Sequence, residues 1–500
     1  MESDCQVKHS GDGVFWAAVA YLALPNFLFI LGWLRPSLAL PLAATLLLAI
    51  WRWRRPEAKA GRSAAHRSLP AIALIIVASG LWTSLSGIGN LVYANPDWHV
   101  RYAVLRDLAV AQWPPAYTTG DAPAILRSSV AYYLPAALVG KLWGITAANI
   151  ALLPWTAAGV AIFFLLLPLP GRLNLRLFAS IALVILFGGM DIIGMLTSGG
   201  DWPSWPFHIE WWARKFQYSS ITTELFWVPN HALPAWIATA LLYRHRTDAN
   251  LLIVMPVILA MLPLWSPFAA IGILPFAALY ALAHIKTGLT TLRPHGIQIV
   301  AALLLAFVAA CYLTLGADTI PGGMAKITSS APGEFIIIYF RFVMFEFGLL
   351  VLALFLLIGE ERKLLSVAAI CLLALPLFRF GLANDLVMRA SIPALVILLI
   401  LTLSATSKPA TMRLSVPSAT FWLFLAFASV TAEHEIRRGL TLSRWEPDPQ
   451  ESLTDQNQGN TPPHYIGRLR EGLLKTLLRD PDLVPSRIAV QPQWNRTNTR

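Results

Sequence analysis

The chain has 500 residues, of which 56% are hydrophobic and 13% are charged, and its mean hydropathy is +0.60. So few charged residues cannot cover a water-soluble body of this length, which excludes an ordinary soluble enzyme and predicts an all-α polytopic membrane protein. The net charge of +11 comes largely from basic connections between apolar runs and from the C-terminal tail. Because basic connections set topology and meet anionic lipid, membrane lipids are expected partners and nucleic acid is not.

Apolar runs close to the length that a bilayer demands recur along the chain. A helix needs about 20 predominantly apolar residues to cross the hydrocarbon core. Taken in order, the runs predict about thirteen transmembrane helices. They lie at 14–34, 36–51, 70–92, 148–168, 177–196, 231–243, 250–264, 267–285, 296–316, 335–358, 364–379, 390–405 and 415–431.

The basic connections between these runs predict their orientation. Lys and Arg concentrate in the loop 52–67 and in the connections that hold Arg172, Arg244, Lys286 and Lys408. Cytoplasmic loops carry such an excess, and strict alternation puts all of these connections on one side if residues 131–144 form an interfacial helix rather than a span. For a bacterial source, we therefore expect the inner membrane, with a cytoplasmic N-terminus and a periplasmic C-terminus.

This orientation divides the chain into three parts. Residues 1–69 hold two N-terminal transmembrane helices and a basic cytoplasmic loop. Residues 70–431 form a transmembrane core with long external loops at 93–147, where interfacial helices are expected, and at 197–230. Residues 432–500 form a periplasmic tail, and an amphipathic helix is predicted there around 465–478.

The first external loop opens with N-P-D-W-H-V-R-Y-A-V-L-R-D-L, in which Asp97, His99, Arg101 and Arg106 follow an apolar run directly. Polar groups at the mouth of a helix bundle are candidates for a functional site, since a carboxylate can act as a general base and a guanidinium can bind phosphate. Two other interpretations stay open. Asp97 suits a helix start, where the helix dipole favours a negative charge, and Arg101 can simply pair with it four residues on.

The second external loop carries a second set of polar residues. Its carboxylates and its histidine are suited to acid–base chemistry or metal binding, and its two cations are suited to a lipid phosphate. His208 and Glu210 are only two residues apart and lack the spacing of a helical metal site, so a metal is weakly indicated. The candidates are Asp191, Asp201, His208, Glu210, Arg214 and Lys215.

A third set lies in R-F-G-L-A-N-D-L-V-M-R, which precedes a late apolar run. Asp385 and Arg389 are four residues apart and face one another on a helix, and Arg379 lies nearby. The pair can bind phosphate through the planar guanidinium, or it can be a self-satisfied structural ion pair. Both interpretations stay open.

This arrangement resembles the GT-C class of integral membrane glycosyltransferases, which includes the protein O-mannosyltransferases and the lipid A aminoarabinose transferase. The resemblance lies in an acidic residue, Asp97, just beyond an early span, in a long first external loop with interfacial helices, in a second acidic external loop, and in an external C-terminal region. The matching core starts at about residue 70. The resemblance is one of arrangement, without a diagnostic motif.

The resemblance implies transfer of a sugar from a polyprenyl phosphate or diphosphate carrier to a glycan, lipid or protein acceptor at the periplasmic face. It implies catalytic roles for Asp97, His99, Asp201 and Glu210. If the enzyme uses a divalent cation, Mg²⁺ or Mn²⁺, Asp97 and Asp201 are its candidate ligands. The residues expected to bind substrate are Arg101, Arg106, His208, Arg214, Lys215, Arg379, Asp385 and Arg389.

A transporter or lipid flippase is the competing interpretation, in which the same charges line a substrate pathway without chemistry. Inverted repeats and charged residues at mid-membrane would favour transport. Neither is evident from the sequence, where the strong charges lie at the ends of the predicted spans. A non-catalytic relative with an intact scaffold is a third interpretation.

Overall fold

A computed structural model describes residues 13–53, 67–119, 122–198, 205–213, 216–292, 295–317, 320–324, 332–359, 361–381, 384–456, 464–469 and 473–487. This part of the chain is mostly helical. Short 3₁₀ turns lie at Ile88–Asn90, Ile209–Ala213 and Leu375–Leu377, and one π-turn lies at Met344–Gly348. The α-helices are α1 (Gly13–Trp33), α2 (Pro36–Trp51), α3 (Leu69–Ser84), α4 (Asp97–Val110), α5 (Leu134–Trp143), α6 (Ile145–Leu166), α7 (Leu175–Leu186), α8 (Asp191–Thr197), α9 (Ile221–Trp227), α10 (Pro229–Arg244), α11 (Leu251–Met261), α12 (Pro267–Leu292), α13 (Gly296–Leu313), α14 (Pro332–Val343), α15 (Leu349–Leu357), α16 (Arg362–Ala374), α17 (Asp385–Ala390), α18 (Ile392–Thr406), α19 (Pro409–Met412), α20 (Val416–Thr441), α21 (Leu453–Gln456) and α22 (Leu473–Leu477).

Within the described residues, seven helical segments are long and apolar enough to cross a membrane. The helices α7 and α8 would make an eighth span, bent by 43° at a break between them. The protein is therefore a multi-pass membrane protein. The seven segments are Gly13–Trp33, Ile145–Leu166, Pro267–Ile285, Gly296–Leu313, Gly333–Leu357, Asp385–Thr406 and Val416–Thr441.

The prediction of thirteen spans is not confirmed, because five of the predicted runs form shorter helices: α2, α3, α10, α11 and α16. α2 and α3 have 16 residues each. At 1.5 Å per residue, such a helix is about 24 Å long, which is less than the hydrocarbon core of about 30 Å. The run 70–92 ends early as a helix, since Gly87 (φ 83°) and Gly89 (φ 74°) have left-handed backbone conformations.

Strands join the first long loop to the tail. β1 (Pro115–Thr119) and β2 (Ala122–Leu126) form an antiparallel hairpin in which Ala116 faces Ile125. β5 (Ile466–Arg468) pairs with the outer edge of β2, and β6 (Asp482–Leu483) pairs in parallel with β1. The amphipathic helix predicted around 465–478 is therefore wrong in part, since this stretch contains β5 and the short helix α22. A second, two-stranded sheet pairs β3 (Gly322–Met324) with β4 (Phe378–Phe380).

The two ends of the helix bundle differ in character. At one end, the α1–α2 turn is bonded to the tail: Arg35 N donates to Leu477 O at 3.0 Å and Arg479 N donates to Trp33 O at 2.8 Å. At the other end, basic residues bind the last turns of helices, and Arg246 pairs with Glu361 at 2.6 Å. Which end faces the cytoplasm stays a prediction.

Candidate functional site

Asp97 opens α4 and faces solvent. Its backbone N–H donates to the side chain of Asn95 at 3.1 Å, so the motif N-P-D does start a helix. The carboxylate of Asp97 is 47% exposed, whereas Arg101, one turn on, is buried. The two side chains form an ion pair at 3.4 Å. Asp97 is thus held by a cation on one side and remains open to a ligand on the other.

Arg101 connects α4 to two other parts of the bundle. Its Nη1 donates to Oδ1 of Asn230 at 2.7 Å and to the hydroxyl of Tyr133 at 3.2 Å. Asn230 lies in the first turn of α10, and Tyr133 immediately precedes α5. A buried guanidinium bonded in this way has a defined position, so the place of Asp97 beside it is defined as well.

Asp385 and Arg389 form the expected pair at the start of α17, with Oδ1 and Nη1 2.6 Å apart. Both side chains are mostly buried, at 13% and 18% exposed. The backbone before them is tight, because Asn384 has φ 62° and Gly381 has φ 89°. A Cβ at Gly381 would lie 2.0 Å from Oδ2 of Asp385, so only glycine leaves room for this carboxylate.

The structure brings the first and third candidate sets together. Tyr133, His231 and Tyr465 each interact electrostatically with both Arg101 and Arg389. Residues that are far apart in the sequence thus share one site. We call Asp97, Arg101, Asp385 and Arg389 the α4–α17 cluster.

Two tail residues, His464 and Tyr465, interact electrostatically with the α4–α17 cluster. Burial raises the pKa of Tyr465 to about 12, an effect that the charge of Arg101 reduces. Burial lowers the pKa of His464, which also interacts with Asp385 and Arg389, so its imidazole is neutral at pH 7. The tail therefore contributes a neutral imidazole and a phenol to the surroundings of the cluster.

Arg106 lies away from the α4–α17 cluster and binds the tail. It is buried, and its Nη1 donates to Oδ1 of Asp107 and to the carbonyl of Pro485, both at 2.9 Å. Asp107 also accepts hydrogen bonds from Tyr117 at 2.8 Å and from the backbone N–H of Leu453 at 3.0 Å. These contacts indicate a structural role for Arg106, and the substrate contact expected from the sequence stays a prediction.

His99 also packs against the tail. Its ring stacks on Trp445 with centroids 3.9 Å apart and planes at 16°. Trp445 in turn donates to the carbonyl of Ala94 at 2.9 Å. The contact places His99 on the face of α4 that the tail covers, beside Asp97 in sequence.

His208 and Glu210 lie in a separate buried network with α20. Nδ1 of His208 is 2.8 Å from Oε1 of Glu435, and Nε2 is 3.5 Å from Glu210. Glu435 also accepts from Arg438 at 2.6 Å and from Trp227 at 2.8 Å. Burial alone would lower the pKa of His208, but its bonds to the two carboxylates raise it to about 9. We call His208, Glu210, Glu435 and Arg438 the α20 network.

Glu210 is bonded on both oxygens within its own loop. Oε1 accepts from the backbone N–H of Ser220 at 2.9 Å, and Oε2 accepts from Gln217 at 2.8 Å. Among the described residues, no contact joins Glu210 or His208 to Asp97. The second candidate set is therefore not joined to the α4–α17 cluster through its described members.

The remaining candidates have different surroundings. Asp201, Arg214 and Lys215 lie outside the described residues. Arg379 lies on β4, opposite Gly323, near the start of α17. Asp191 opens α8 and contacts Trp212, Thr431 and Glu346.

Among the described residues, no three His, Cys, Asp or Glu side chains come together as ligands of a metal would. Asp97 faces the guanidinium of Arg101, which repels a cation. Magnesium and manganese prefer several oxygen ligands, so the described part of the site does not fit a divalent ion.

Several residues of these sites were not among the sequence candidates. Glu346 stands alone in M-F-E-F-G inside an apolar run, and it corrects the expectation that strong charges lie only at span ends. Glu435 and Arg438 follow a predicted span directly, in T-A-E-H-E-I-R-R. A charged residue within or just after an apolar run is the signal that marks all three. Tyr133, Asn230 and Tyr465 carry no such signal.

Comparison of the chain with protein-family models, with curated proteins and with solved structures finds no match in any of the three. The function proposed below accordingly depends on the contacts and charges of this chain and on its resemblance in arrangement to the GT-C class.

Proposed function

We propose that the protein is a GT-C-type glycosyltransferase that moves a sugar from a polyprenyl phosphate or diphosphate carrier to a glycan, lipid or protein acceptor at the periplasmic face of the inner membrane. The observation that carries this proposal is the α4–α17 cluster. Asp97, a half-exposed carboxylate, pairs with the buried Arg101, and a second mostly buried arginine, Arg389, lies at the start of the candidate span Asp385–Thr406. A lipid-linked phosphate needs such a place, with cations at the edge of the hydrocarbon.

The charges suit the chemistry of transfer. An acceptor hydroxyl attacks the anomeric carbon of the sugar, the bond from that carbon to the carrier phosphate oxygen breaks, and the phosphate leaves with the bonding electrons. Asp97 takes the proton of the hydroxyl as general base. Arg389 and Arg101 stabilise the negative charge that grows on the departing phosphate, since guanidinium matches phosphate oxygens.

The ion pairs within the cluster do not argue against this role. Nη1 of Arg389 pairs with Asp385, and its Nε has no hydrogen-bond partner among the described residues. A guanidinium has five N–H donors, so donors remain for a phosphate. Asp385 then acts as a positioning residue that orients Arg389.

We propose the finer topology together with this function. The basic end of the bundle with Arg246 and Glu361 faces the cytoplasm, and the end with β1, β2 and the tail faces the periplasm. The N-terminus is then cytoplasmic and the C-terminus periplasmic. The shorter helices α2, α3, α10, α11 and α16 and the bent pair of α7 and α8 complete the crossings where the bilayer thins locally, giving up to thirteen spans.

Binding of the carrier is the first test. The protein in lipid nanodiscs is titrated with a polyprenyl phosphate and, as a control, with the uncharged polyprenol of equal length. We expect the phosphate to bind at least tenfold more tightly, and Arg389→Gln to remove that difference. Arg246→Gln is the matched control, because it breaks a partly buried arginine–carboxylate pair at the other end of the bundle. Equal affinity of the wild-type protein for both lipids would overturn the proposal.

Transfer is the second test. Asp97→Asn is expected to bind the polyprenyl phosphate as the wild-type protein does and to lose at least a hundredfold in sugar transfer from a radiolabelled polyprenyl-phosphate sugar. Thermal unfolding of the variant shows whether it folds. Full turnover by the folded variant would exclude Asp97 as the base.

Transport is a second candidate function, and one observation favours it. The break between α7 and α8 unwinds a candidate span beside a buried carboxylate, which is common where transporters bind ions. Transfer assays separate the two functions. A transporter moves a labelled lipid or solute between leaflets or compartments of a vesicle and releases it chemically unchanged.

A further inference from the structure

Two irregular helices meet inside the bundle, away from the α4–α17 cluster. The helix α7 ends at Leu186, the backbone is extended or irregular through 187–190, and α8 begins at Asp191. Across from this break, a π-turn at Met344–Gly348 separates α14 from α15. Met190 N donates to the carbonyl of Phe345 at 2.9 Å, which joins the two irregular segments directly. Such breaks are common at functional sites.

The break brings two carboxyl groups together. Asp191 and Glu346 are in hydrogen-bonding contact, and the indole N–H of Trp212 lies 3.1 Å from one and 3.3 Å from the other. A Cβ at Gly189 would lie 2.1 Å from Oε2 of Glu346, so glycine is required for this approach. Asp191 also accepts from the hydroxyl of Thr431 at 2.9 Å.

No cation among the described residues pairs with either carboxyl group. Asp191 is fully buried and Glu346 is 3% exposed. Neither forms an ion pair with a described residue, and the titratable groups that face them are the carboxyl of Glu210 and the phenol of Tyr218. Two touching carboxylates in such a place cannot both be ionised, so the contact between them needs one proton.

One residue of the pair, Glu346, has an unpartnered oxygen and lines a cavity. Oε2 of Glu346 has no hydrogen-bond partner among the described residues. Glu346 lines a small cavity together with Gly188, Ser219, Leu395 and Leu398. The pair therefore has an unpartnered acceptor and a small cavity beside it.

We propose that Asp191 and Glu346 together bind one exchangeable proton inside the helix bundle. The ligand is a proton rather than a metal ion, because the described ligand set consists of two carboxyl groups and one hydroxyl, with no third His, Cys, Asp or Glu. The proton sits between the carboxyl oxygens and leaves through the cavity beside Glu346. This site is independent of the proposed transferase chemistry, which uses neither residue.

Infrared spectroscopy of the full-length protein in nanodiscs tests the site through the C=O stretch of protonated carboxyl groups. At pH 8 the wild-type protein is expected to show this band. Each single variant, Glu346→Gln or Asp191→Asn, is expected to lower its intensity by the contribution of one protonated carboxyl group. The double variant should remove no more than either single one, since one proton is shared. Burial holds the pKa of Glu224 well above its ordinary value, so Glu224→Gln identifies any contribution of that residue to the band.

Exchange is measured by moving the wild-type protein from H₂O to D₂O. The band assigned to the pair should shift within minutes. A band that stays unshifted after hours, additive losses in the double variant, or a wild-type spectrum with no carboxyl band beyond that of Glu224 would each overturn the proposal. Glu361→Gln is the control, because that carboxylate pairs with Arg246 and carries no shared proton. If one single variant fails to fold, the band intensity of the other variant and the deuterium exchange of the wild-type protein still test the proposal.

Discussion

The imidazole of His208 lies 2.8 Å from the carboxylate of Glu435, and this contact joins the segment 205–213 to α20. On its other side, His208 faces Glu210 at 3.5 Å. A histidine between two buried carboxylates is protonated at neutral pH. The α20 network is therefore an ionic connection, in which two carboxylates alternate with an imidazolium and the guanidinium of Arg438.

The α20 network predicts a loss of stability at alkaline pH. The pKa of His208 is about 9 in the folded protein, against about 6.5 in an unfolded chain. Between pH 6.5 and 9, His208 keeps its proton in the folded protein and has lost it in the unfolded chain. The stabilisation is therefore complete below pH 6.5 and is lost as the pH rises to about 9. At about 1.4 kcal/mol per pKa unit, the loss is about 3 kcal/mol.

Thermal unfolding followed by tryptophan fluorescence from pH 6 to 10 measures this loss. His208→Gln should be less stable at pH 6.5 and should show a flatter profile between pH 6.5 and 9. A variant with the wild-type slope would mean that another group releases the proton.

Two glutamates should respond differently to the same substitution. Glu435→Gln leaves His208 and Arg438 without their shared carboxylate, which is expected to cost about 3–5 kcal/mol. Burial raises the pKa of Glu224 well above its ordinary value, which favours the neutral form, and the carboxyl group accepts from Trp236. Glu224→Gln keeps an acceptor for Trp236 and should cost less than about 1 kcal/mol. Comparable losses in the two variants would contradict this account.

Asp107 should decide whether the tail stays attached. Asp107→Ala removes the acceptor of Arg106, Tyr117 and the Leu453 N–H, and we expect a cost of about 3–5 kcal/mol with faster proteolysis of the tail. Asp448→Ala is the control, because its pair with Arg487 is exposed. Cleavage of both variants at the wild-type rate would show that other contacts hold the tail.

Gly381 should be sensitive to a single methyl group. Gly381→Ala adds a Cβ at φ 89°, where it meets Oδ2 of Asp385 at 2.0 Å, and is expected to cost about 1–3 kcal/mol. Because Asp385 orients Arg389, binding of polyprenyl phosphate should weaken as well. Gly333→Ala in α14 meets no atom within 4 Å and should change neither property. If Gly381→Ala is destabilised but binds polyprenyl phosphate with unchanged affinity, the backbone at Gly381 does not affect phosphate binding.

Hydrophobic length predicted much of the helical framework but not its breaks. The run 296–316 became α13, Gly296–Leu313, with little change. The run 177–196 became α7 and α8 with a 43° bend. The mean hydropathy of an apolar run does not show where its helix is interrupted. Here the helix breaks at Gly188 and Gly189 because Ser220 and Glu346, from elsewhere in the chain, approach them closely.

The site was predictable where its contacts are local. The spacing of four residues pairs Asp97 with Arg101 and Asp385 with Arg389, and both pairs are present. The meeting of these pairs was not predictable, because it depends on how α4, α10 and α17 pack. The role of Arg106 in binding Pro485 has the same origin, since a distant carbonyl leaves no mark in the sequence.

The order of the four-stranded sheet, β5-β2-β1-β6, has a consequence for handling the protein. The tail supplies both outer strands, and the hairpin of the first loop supplies both inner ones. A chain shortened after residue 450 would keep the hairpin and expose both of its edges, whose unpaired N–H and C=O groups recruit other strands. Such a protein is expected to insert into the membrane and then to self-associate in detergent, as sedimentation of the purified material would show.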